Sequence, residues 1–377
     1  MTSLPDSAGE WKTMIRVGID VSRIRDGMTG VGRYAAGILS SLDTAMPEAK
    51  FVLYAYRETS IVPASSRWHV VKDRHPFWSR IPVTQWMHSR LGALITRDPV
   101  DVFWSPNTFV PHGASVPCVL TVYDFNHVIV PETLPPITRY AHRKWMNADI
   151  LAADANVSIS QGTSQRMVKL LGRQPDAIAY PAVSAKSTIF DQGKMAQLLA
   201  RAGVRKPYLL TVGTRAPRKN LTGAVVAMEQ LRGAGFFLNH QLVMAGPEAW
   251  DRRGRRIERG HNWIRPLGFV DDAVLSVLYA NAEALVFPSL YEGFGMPVIE
   301  ARAHGCRVVT TDSPELREAG GDDAVYTDTS PEGIAVGIRT ALSRPLPLPQ
   351  QIEHSWKDAA EQMALVFRKV AASGSAG

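Results

Sequence analysis

The residues best suited to chemistry lie in the segment 288–301, which follows the apolar run 284–287. Gly293 and Gly295 allow backbone N–H groups to approach an anion closely, and Pro297 suits the first turn of a helix. A helix N-terminus carries partial positive charge and unpaired N–H groups, so it favours phosphate. The spacing predicts a diphosphate-binding loop; the alternative is an ordinary strand-to-helix turn with a glycine hinge.

Two glutamates frame this loop. Glu292 would lie in the loop, and Glu300, eight residues later, would lie about two turns along the helix at 3.6 residues per turn. Both carboxylates would then face one anionic site at different depths, where they can accept hydrogen bonds from sugar hydroxyl groups. In the alternative interpretation, Glu300 is solvated and has no ligand.

Apolar runs that alternate with helical patterns must position these residues. The predicted strands are 15–21, 51–56, 100–104, 118–123, 156–159, 208–213, 241–246, 264–270, 284–289, 307–311 and 324–327, and the predicted helices include 34–42, 137–152, 163–171 and 356–370. This alternation predicts an α/β fold of two doubly wound parallel sheets that face each other across a cleft, with a hinge near 186–205. Ligands of such sheets bind beyond the carboxyl ends of the strands.

Length and composition set the broad class. The chain has 377 residues, 45% hydrophobic and 20% charged, which suits two globular domains and excludes disorder and fibrous repeats. There are 42 basic and 35 acidic residues, which give a net charge of +7 and predict an anionic partner. Cys118 and Cys306 are too far apart in sequence to predict a disulfide framework or a zinc site, so a reducing compartment is expected.

The location expected from the sequence is cytoplasmic. Asp6 and Glu10 stand where a signal peptide would need a basic start, so we expect an unprocessed N-terminus. The charge-free stretch 102–123 is long enough to cross a bilayer, but it contains three prolines, an asparagine and a histidine. No transmembrane helix is predicted.

Several segments together resemble a known family. The segment 288–301 matches the E-G-F-G-x-P-x-x-E-A signature of the retaining glycosyltransferases of family 4. Residues 212–221 resemble the family's phosphate-binding loop, and residues 267–272 resemble its base-binding loop. Residues 30–34 resemble its N-terminal glycine loop, and residues 158–172 resemble the stretch before the hinge. The resemblance covers nearly the whole chain and is most specific over 208–312.

This resemblance implies the GT-B fold, in which two Rossmann-like domains face each other. Residues 1–190 would bind the acceptor, and residues 200–350 would bind a nucleotide sugar. The C-terminal helix, within 355–377, would return to pack on the first domain.

The resemblance also implies roles for single residues. Glu300 would bind the nucleotide ribose, and Glu292 would bind hydroxyl groups of the donor sugar. Lys219, with Arg215 or Arg218, would neutralise the diphosphate; a solvated basic turn is the alternative. Fixed cations can stabilise a departing diphosphate without a metal. Because the sequence has no Asp-x-Asp triplet and no His cluster, neither a metal nor a cofactor is expected.

The other expected nucleotide-binding residues belong to the matched loops. They are Gly213, Gly268, Phe269, Val270, Gly293, Phe294, Gly295 and Met296. By the same resemblance, Gly30 and Gly32 form a loop that closes over the donor phosphates or the acceptor; a plain tight turn is the alternative.

One position departs from the family pattern. Where the family usually has His-Asp after a strand, this chain has Tyr123 and Asp124, with His127 one turn further on. The family's histidine points into the reaction centre. Tyr123 can donate a hydrogen bond there, but a phenol with an ordinary pKa of about 10 is neutral near pH 7. The alternative is an ordinary aromatic residue at a strand end.

The segment 72–97 is rich in basic and aromatic residues, with Asp73 as its only acid. Its basic residues are Lys72, Arg74, Arg80, Arg90 and Arg97, and they alternate with Phe77, Trp78, Ile81, Trp86 and Met87. This composition suits a segment on an anionic membrane surface, at the inner face of the cytoplasmic membrane. The alternative is a helix that buries its tryptophans and exposes its arginines.

The function predicted from these residues and the resemblance is a retaining glycosyltransferase of cell-surface polysaccharide biosynthesis. It would move a hexose from a nucleotide sugar to a lipid-linked or oligosaccharide acceptor. The segments 30–34 and 217–220 look most like those of bacterial mannosyltransferases, so GDP-mannose is the expected donor. One alternative is a nucleotide-sugar 2-epimerase of the same fold. Another is a basic nucleic-acid-binding protein, although the basic segments lack a nucleic-acid-binding motif and no such partner is expected.

Overall fold

In the computed structural model, the described residues are 14–24, 30–57, 59–183, 191–248 and 260–374. The basic run 252–256, for which the sequence predicts a solvated loop, lies outside them, as does part of the predicted hinge. We refer to residues 14–183 as the N-terminal half and to residues 191–344 as the C-terminal half.

The N-terminal half contains a seven-stranded parallel sheet with the order β3-β2-β1-β4-β5-β6-β7. Its strands are β1 (Arg16–Asp20), β2 (Lys50–Ala55), β3 (Trp68–Lys72), β4 (Val102–Ser105), β5 (Cys118–Val122), β6 (Ala155–Ser158) and β7 (Ala177–Ile178). Its α-helices are α1 (Gly30–Ala45), α2 (Val83–Trp86), α3 (Gly92–Arg97), α4 (Asn126–Ile129), α5 (Pro136–Ala141), α6 (Asn147–Ala152) and α7 (Gln161–Leu171). Wider π-helical turns at Met87–Leu91 and His142–Met146 join α2 to α3 and α5 to α6.

The C-terminal half contains a six-stranded parallel sheet with the order β10-β9-β8-β11-β12-β13. Its strands are β8 (Tyr208–Val212), β9 (Gln241–Ala245), β10 (Ile264–Gly268), β11 (Ala284–Phe287), β12 (Val308–Thr311) and β13 (Val325–Thr327). Its described helices are α8 (Gln192–Arg201), α9 (Leu221–Gly233), α10 (Asp272–Asn281), α11 (Met296–Ala303), α12 (Pro314–Gly320) and α13 (Pro331–Ser343). A last helix, α14, spans Trp356–Gly374.

Both sheets reverse their strand order once, between β1 and β4 and between β8 and β11. The central strands are buried on both faces, which explains why they read as continuous apolar runs. At each reversal the loops that leave neighbouring strands turn to opposite faces and open a crevice, which is the usual ligand position in doubly wound sheets. The loops after β8 and β11 are the two segments that the sequence analysis singled out.

The sequence predicts most of these elements. Each predicted strand is present with limits within two residues of those predicted, and two strands, β3 and β7, were not predicted. Strand β7 has only two residues, too few for any periodicity. None of the helices in the described ranges is both long enough and apolar enough to cross a membrane.

Helix α14 packs against α1 of the N-terminal half. Arg368 donates to Glu48 at 2.7 Å, and the Phe367 ring lies 6.0 Å from the Trp104 ring beneath it. Gly37 on α1 leaves room for the Trp356 indole, which an added Cβ would overlap. Helix α14 thus packs on the N-terminal half although it follows the C-terminal half in sequence; the domain limits at 190 and 200 stay a prediction.

Candidate active site

The loop after β8 brings Lys219 back beneath the end of its own strand. Gly213 has a φ of +128°, and a Cβ at this position would lie 3.2 Å from Lys219 Cε. A short 3-10 turn, Pro217–Lys219, ends at Asn220, whose left-handed backbone starts α9. The glycine therefore provides both the backbone conformation and the space that Lys219 needs.

Glu292, in the loop after β11, lies between two cations from the loop after β8. Its Oε1 is 2.6 Å from Lys219 Nζ, and its Oε2 is 2.6 Å from Arg218 Nη1. Arg218 also donates to the Tyr291 carbonyl at 2.6 Å, and Lys219 Nζ lies 4.5 Å from the centre of the Phe287 ring. All three charged side chains are largely buried, so the ion pairs are shielded from water.

Burial and ion pairing act against each other in this cluster. Burial raises the pKa of Glu292, but Arg218 and Lys219 together hold it at about 2. Burial lowers the pKa of Lys219, and the Glu292 carboxylate opposes this shift. Burial also acts to lower the pKa of Arg218, but Glu292 and Asp124 outweigh it and raise that pKa. The charges of Arg218 and Lys219 are thus opposed by Glu292 and, from the N-terminal half, by Asp124. Two adjacent cationic hydrogen-bond donors suit an anionic ligand.

Arg215 has a different partner. Its Nη2 lies 3.1 Å from Glu248 Oε1, and its backbone N–H donates to the Pro247 carbonyl. Of the two arginines that the sequence analysis offers as partners of Lys219 at the diphosphate, the structure places Arg218 beside Lys219.

Gly293 lies at a close contact between the two halves. A Cβ at Gly293 would overlap the Tyr123 carbonyl, and the Gly293 carbonyl accepts hydrogen bonds from Ser160 Oγ at 2.6 Å and Thr163 Oγ1 at 3.0 Å. From the sequence, the reason expected for a glycine here is the close approach of an anion. The structure gives it a second reason, which is the approach of the N-terminal half.

The rest of this loop leads into α11. Gly295, with a φ of +111°, precedes the helix, and Met296 is its first residue. Phe294 is buried, with its ring 6.0 Å from that of Tyr180. The buried aromatic residue fixes the loop so that the helix N-terminus stays at the end of β11.

Glu300, on α11, contacts both halves. Tyr279 donates its hydroxyl to Glu300 Oε2 at 2.8 Å, and Arg33 Nη2 lies 3.6 Å from Oε1. Arg33 also pairs with Asp272 at 2.9 Å. Burial raises the pKa of Glu300, with Arg33 opposing the shift. Arg33 and Tyr279 were not predicted from the sequence, because 267 and 21 residues separate them from Glu300 and no local pattern connects them.

Gly30 and Gly32 lie in the first turn of α1, not in the loop that the sequence analysis expected. A Cβ at Gly30 would meet no atom within 4 Å, whereas Gly32 is buried. The prediction of a loop was wrong because the pattern Gly-Val-Gly was interpreted as a turn, whereas the helix already begins at Gly30. The same turn carries Arg33 toward Glu300.

The expected base-binding loop follows β10. Gly268 ends the strand with a φ of +70°, and its carbonyl accepts a hydrogen bond from the Gly246 N–H at 2.7 Å. Phe269 is 60% exposed, and Val270 packs partly against the core. An exposed aromatic face beside a strand end is available for a flat ligand group to stack on.

The N-terminal half presents mainly neutral groups at the end of β5. The Tyr123 hydroxyl is buried and has no hydrogen-bond partner among the described residues, and burial raises the pKa of Tyr123 well above its usual value. Asp124 Oδ1 accepts a hydrogen bond from the Asn126 N–H at 3.0 Å. His127 is buried, with its Nε2 2.8 Å from Asn147 Oδ1, and burial lowers the pKa of its imidazole.

Two further residues here were not predicted. The His142 ring lies 5.9 Å from that of His127, and burial lowers the pKa of His142 to about 4. Tyr291 accepts a hydrogen bond from the Phe125 N–H at 3.0 Å and so connects the loop after β11 to the N-terminal half. His142 lies inside a predicted helix, where its periodic position does not distinguish a site residue from a core residue.

The segment 72–97 is mostly internal. Trp86 and Met87 are fully buried, Trp86 Nε1 donates to Asp73 Oδ2 at 2.9 Å, and Arg90 pairs with the same carboxylate at 3.2 Å. Trp78 and Ile81 are partly buried, which leaves Phe77, 60% exposed, as the fully accessible aromatic residue. The interpretation of this segment as an aromatic membrane surface was therefore wrong for most of its apolar residues, because they complete the core of the N-terminal half.

Comparison with known proteins agrees with this arrangement. Residues 206–344 match the family model described as glycosyl transferases group 1. Sucrose-phosphate synthase from Thermosynechococcus elongatus has a TM-score of 0.74 at 17% identity, with 95% of this chain and 100% of that chain covered. Anabaena HepE, in complex with UDP and glucose, has a TM-score of 0.64 at 15% identity, with 96% and 98% covered.

The chain therefore has the GT-B fold, as the sequence predicts, and its residues 206–344 match the model of the group 1 glycosyltransferases. More particularly, it resembles bacterial mannosyltransferases. It is 27% identical over 365 residues to the O-antigen chain mannosyltransferase B of Escherichia coli, with 91% of this chain and 92% of the relative covered.

Proposed function

We propose that this glycosyltransferase is a retaining mannosyltransferase that uses GDP-mannose and acts in the assembly of a cell-surface polysaccharide. The observation that carries the proposal is the pair of cations, Arg218 and Lys219, on either side of Glu292 at the reversal of the C-terminal sheet. The same cations would also serve a nucleotide-sugar 2-epimerase, so the preference for transfer rests on the mannosyltransferase relative. A nucleic-acid-binding protein has no comparable support from a contact among the described residues.

In the proposed complex, Arg218 and Lys219 hold the diphosphate. When their positive charge is directed to the diphosphate, Glu292 can turn its carboxylate oxygens to hydroxyl groups of the sugar. Glu300, in the middle of α11, holds the ribose in place of its present contact with Arg33. These fixed charges act in a buried site, where they need little reorganisation as the leaving group gains charge. We propose that the donor step needs no metal, since the two cations supply the required positive charge.

The proposed reaction keeps the configuration of the sugar. The bond between the anomeric carbon and the diphosphate oxygen breaks, and the acceptor hydroxyl attacks from the same face of the oxocarbenium-like sugar. Its proton goes to the departing phosphate oxygen. No basic side chain is required, which agrees with the neutral phenol of Tyr123 and the lowered pKa of His127.

The choice of mannose rests on the relative from Escherichia coli, whose name is that of a mannosyltransferase. The choice of GDP over UDP is a separate step, since HepE has the same fold and binds UDP. The test is a thermal melt of the purified protein with GDP, UDP or no nucleotide, each with EDTA, because a ligand of the native state raises its stability. A shift with GDP alone supports the proposal, and a shift with UDP alone overturns the choice of GDP-mannose.

A second assay separates transfer from epimerisation. Incubation with GDP-mannose and a lipid extract as acceptor is expected to place mannose in the lipid fraction and release GDP. Incubation without acceptor is expected to leave the sugar configuration of the donor unchanged. Conversion of the donor without acceptor would support the epimerase instead.

We further propose that the acceptor is lipid-linked and is met at an anionic membrane surface. Support comes from residues 128–144 rather than from 72–97. Ile137 is 80% exposed and Tyr140 is 62% exposed, and both lie on α5 beside the exposed basic residues Arg143 and Lys144. Exposed apolar side chains next to basic ones suit the boundary between lipid headgroups and acyl chains.

Vesicle sedimentation tests this surface. The wild-type protein is expected to bind vesicles that contain phosphatidylglycerol, and the double variant Ile137→Glu, Tyr140→Ser is expected to lose most of that binding. The matched control is Leu346→Glu, a change of similar character at a residue that is 61% exposed in the C-terminal segment. Equal binding by the double variant and the wild type would contradict a role for α5.

A further inference from the structure

A cluster of two histidines and an aspartate lies in the N-terminal half, on elements other than those of the donor site. His88 is in the π-helical turn Met87–Leu91, His112 follows β4, and Asp149 is on α6. Their separations in sequence are 24 and 37 residues, so no local motif marks them. Folding alone brings these three side chains together.

The distances between the side chains are short on every side of the cluster. His88 Nδ1 is 3.2 Å from His112 Nε2, His112 Nε2 is 3.5 Å from Asp149 Oδ1, and His88 Nε2 is 3.6 Å from Asp149 Oδ2. One candidate ligand atom from each residue lies within 4.8 Å of the other two. Zinc bonds of about 2.0 Å in a tetrahedron place neighbouring ligand atoms about 3.3 Å apart. An imidazole offers one nitrogen to an ion, so with His88 Nε2 as the ligand atom it is the two contacts with the Asp149 carboxylate, at 3.5 and 3.6 Å, that match this spacing.

One atom of the cluster lacks a hydrogen-bond partner. His88 is 7% exposed, and its Nε2 is buried with no hydrogen bond within the described part of the chain. A buried polar atom without a partner is costly, so it points to a group that the protein chain alone does not supply. The atom faces the Asp149 carboxylate, where a cation would lie between the two.

The surroundings hold the ligands in place and leave one side open. The Val110 N–H donates to Asp149 Oδ2 at 3.2 Å, and the His88 ring packs 4.5 Å from that of Trp145. The side chain of His112 is 53% exposed, so an ion can enter from solvent and a water molecule can complete its coordination. Two imidazoles and one carboxylate with an open position form a donor set that zinc favours.

We propose that His88, His112 and Asp149 form a zinc-binding site that joins three segments of the N-terminal half. This site is separate from the metal-free donor step proposed above. The His88 ring packs 5.5 Å from Phe109, which in turn lies 5.7 Å from His142 and so reaches the histidines at the end of β5. The ion would therefore stabilise the wall of the half that is expected to bind the acceptor.

The test is a titration of tag-free protein, first treated with a chelator and then dialysed, with ZnCl₂ in an isothermal calorimeter. We expect one zinc ion per chain and a rise in the melting temperature when the ion is present. Titration with CoCl₂ provides a second readout, because Co²⁺ in a tetrahedral site gives a characteristic visible absorption. Both readouts are independent of transferase activity.

Three variants locate the site. His112→Ala changes a half-exposed side chain, so the protein is expected to fold, and its zinc affinity is expected to fall by roughly 100-fold because a ligand is lost. Asp149→Asn is expected to lose the ion in the same way. His69→Ala, at an exposed histidine on β3, is the matched control and is expected to bind zinc as the wild type does. Absence of zinc binding by the wild type, or equal binding by His112→Ala, would overturn the proposal.

Discussion

The crevices of the two sheets differ in their charge. At the end of β8 and β11, Arg218, Lys219 and Glu292 form buried ion pairs at 2.6 Å. At the end of β5, burial keeps the phenol of Tyr123 and the imidazole of His127 neutral. Burial penalises a charge in both places. In the C-terminal half Arg218, Lys219 and Glu292 compensate for one another, and the Asp124 carboxylate of the N-terminal half also acts on both cations.

This difference does not come from topology, since both sheets reverse their order in the same way. It comes from the loops, where the C-terminal half has a basic turn and two glutamates. Buried fixed charges suit a diphosphate, whereas neutral hydrogen-bonding groups suit the hydroxyl groups of a sugar. Two sheets of the same topology therefore carry loops with different electrostatic environments, as the proposed transfer between a diphosphate donor and a hydroxyl acceptor requires.

The largest effect on activity is expected when a cation is removed from the charged cluster of Arg218, Lys219 and Glu292. Arg218→Met should lower kcat/KM for mannose transfer by roughly 100- to 1000-fold, because the leaving diphosphate loses a preorganised positive charge. Steady-state kinetics measures this effect. Arg317→Met, at an exposed arginine paired with Asp312, is the control and should change the rate by less than about twofold. If Arg218→Met keeps a rate within threefold of the wild type, the charged cluster does not stabilise the leaving diphosphate.

The charged cluster should also make the free energy of unfolding depend on pH, through the ionisation of Glu292. The folded-state pKa of Glu292 is about 2, below its ordinary value of 4.5, so its ionised form stabilises the fold above about pH 4.5. This contribution is lost as the pH falls from about 4.5 toward 2. Urea unfolding across this range should show a steeper loss for the wild type than for Glu292→Gln, by roughly 3 kcal/mol. Parallel profiles would mean that the ion pairs do not lower this pKa.

Glu300→Ala tests the second carboxylate and should have a smaller effect. Loss of the hydrogen bonds that the ribose hydroxyl groups would donate to the Glu300 carboxylate is expected to weaken GDP binding by roughly 10- to 100-fold, at about 1.5–3 kcal/mol. Isothermal calorimetry gives the affinity, and circular dichroism shows whether the fold survives. Glu361→Ala, at an exposed position on α14, is the control. Unchanged GDP affinity in Glu300→Ala would remove the ribose assignment.

The smallest effect is expected at the end of β5, for the free energy of unfolding of Tyr123→Phe. The hydroxyl of Tyr123 is buried without a hydrogen-bond partner among the described residues, so Tyr123→Phe removes a group that gains little from the fold. The free energy of unfolding should change by less than about 1 kcal/mol in urea titrations. A loss of more than about 2 kcal/mol in the free energy of unfolding would show that the Tyr123 hydroxyl makes a stabilising contact.

Sequence patterns were sufficient for the fold and for the position of the loops that follow β8 and β11. Strands buried on both faces give continuous apolar runs, and the residues that follow β8 and β11 are consecutive in sequence, so their proximity to a strand end is a local property. The position of Glu292 beside Lys219 follows from two such local facts and the parallel order of neighbouring strands.

Contacts between distant segments were beyond this kind of inference. Arg33 reaches Glu300 across 267 residues, and His88, His112 and Asp149 meet only when three segments have packed. The aromatic residues of 72–97 illustrate the converse error. A basic and aromatic composition is the same for a membrane surface and for a buried helix with exposed arginines, and only packing distinguishes the two.

The most direct test of the account is the thermal shift that GDP produces in EDTA, compared between the wild type and Lys219→Met. Guanosine, which lacks the diphosphate, serves as the reference ligand for each protein. We expect GDP to shift the melting temperature of the wild type far more than guanosine does, and Lys219→Met to lose most of this difference. An equal GDP shift in both proteins would contradict the claim that the buried cations hold the diphosphate.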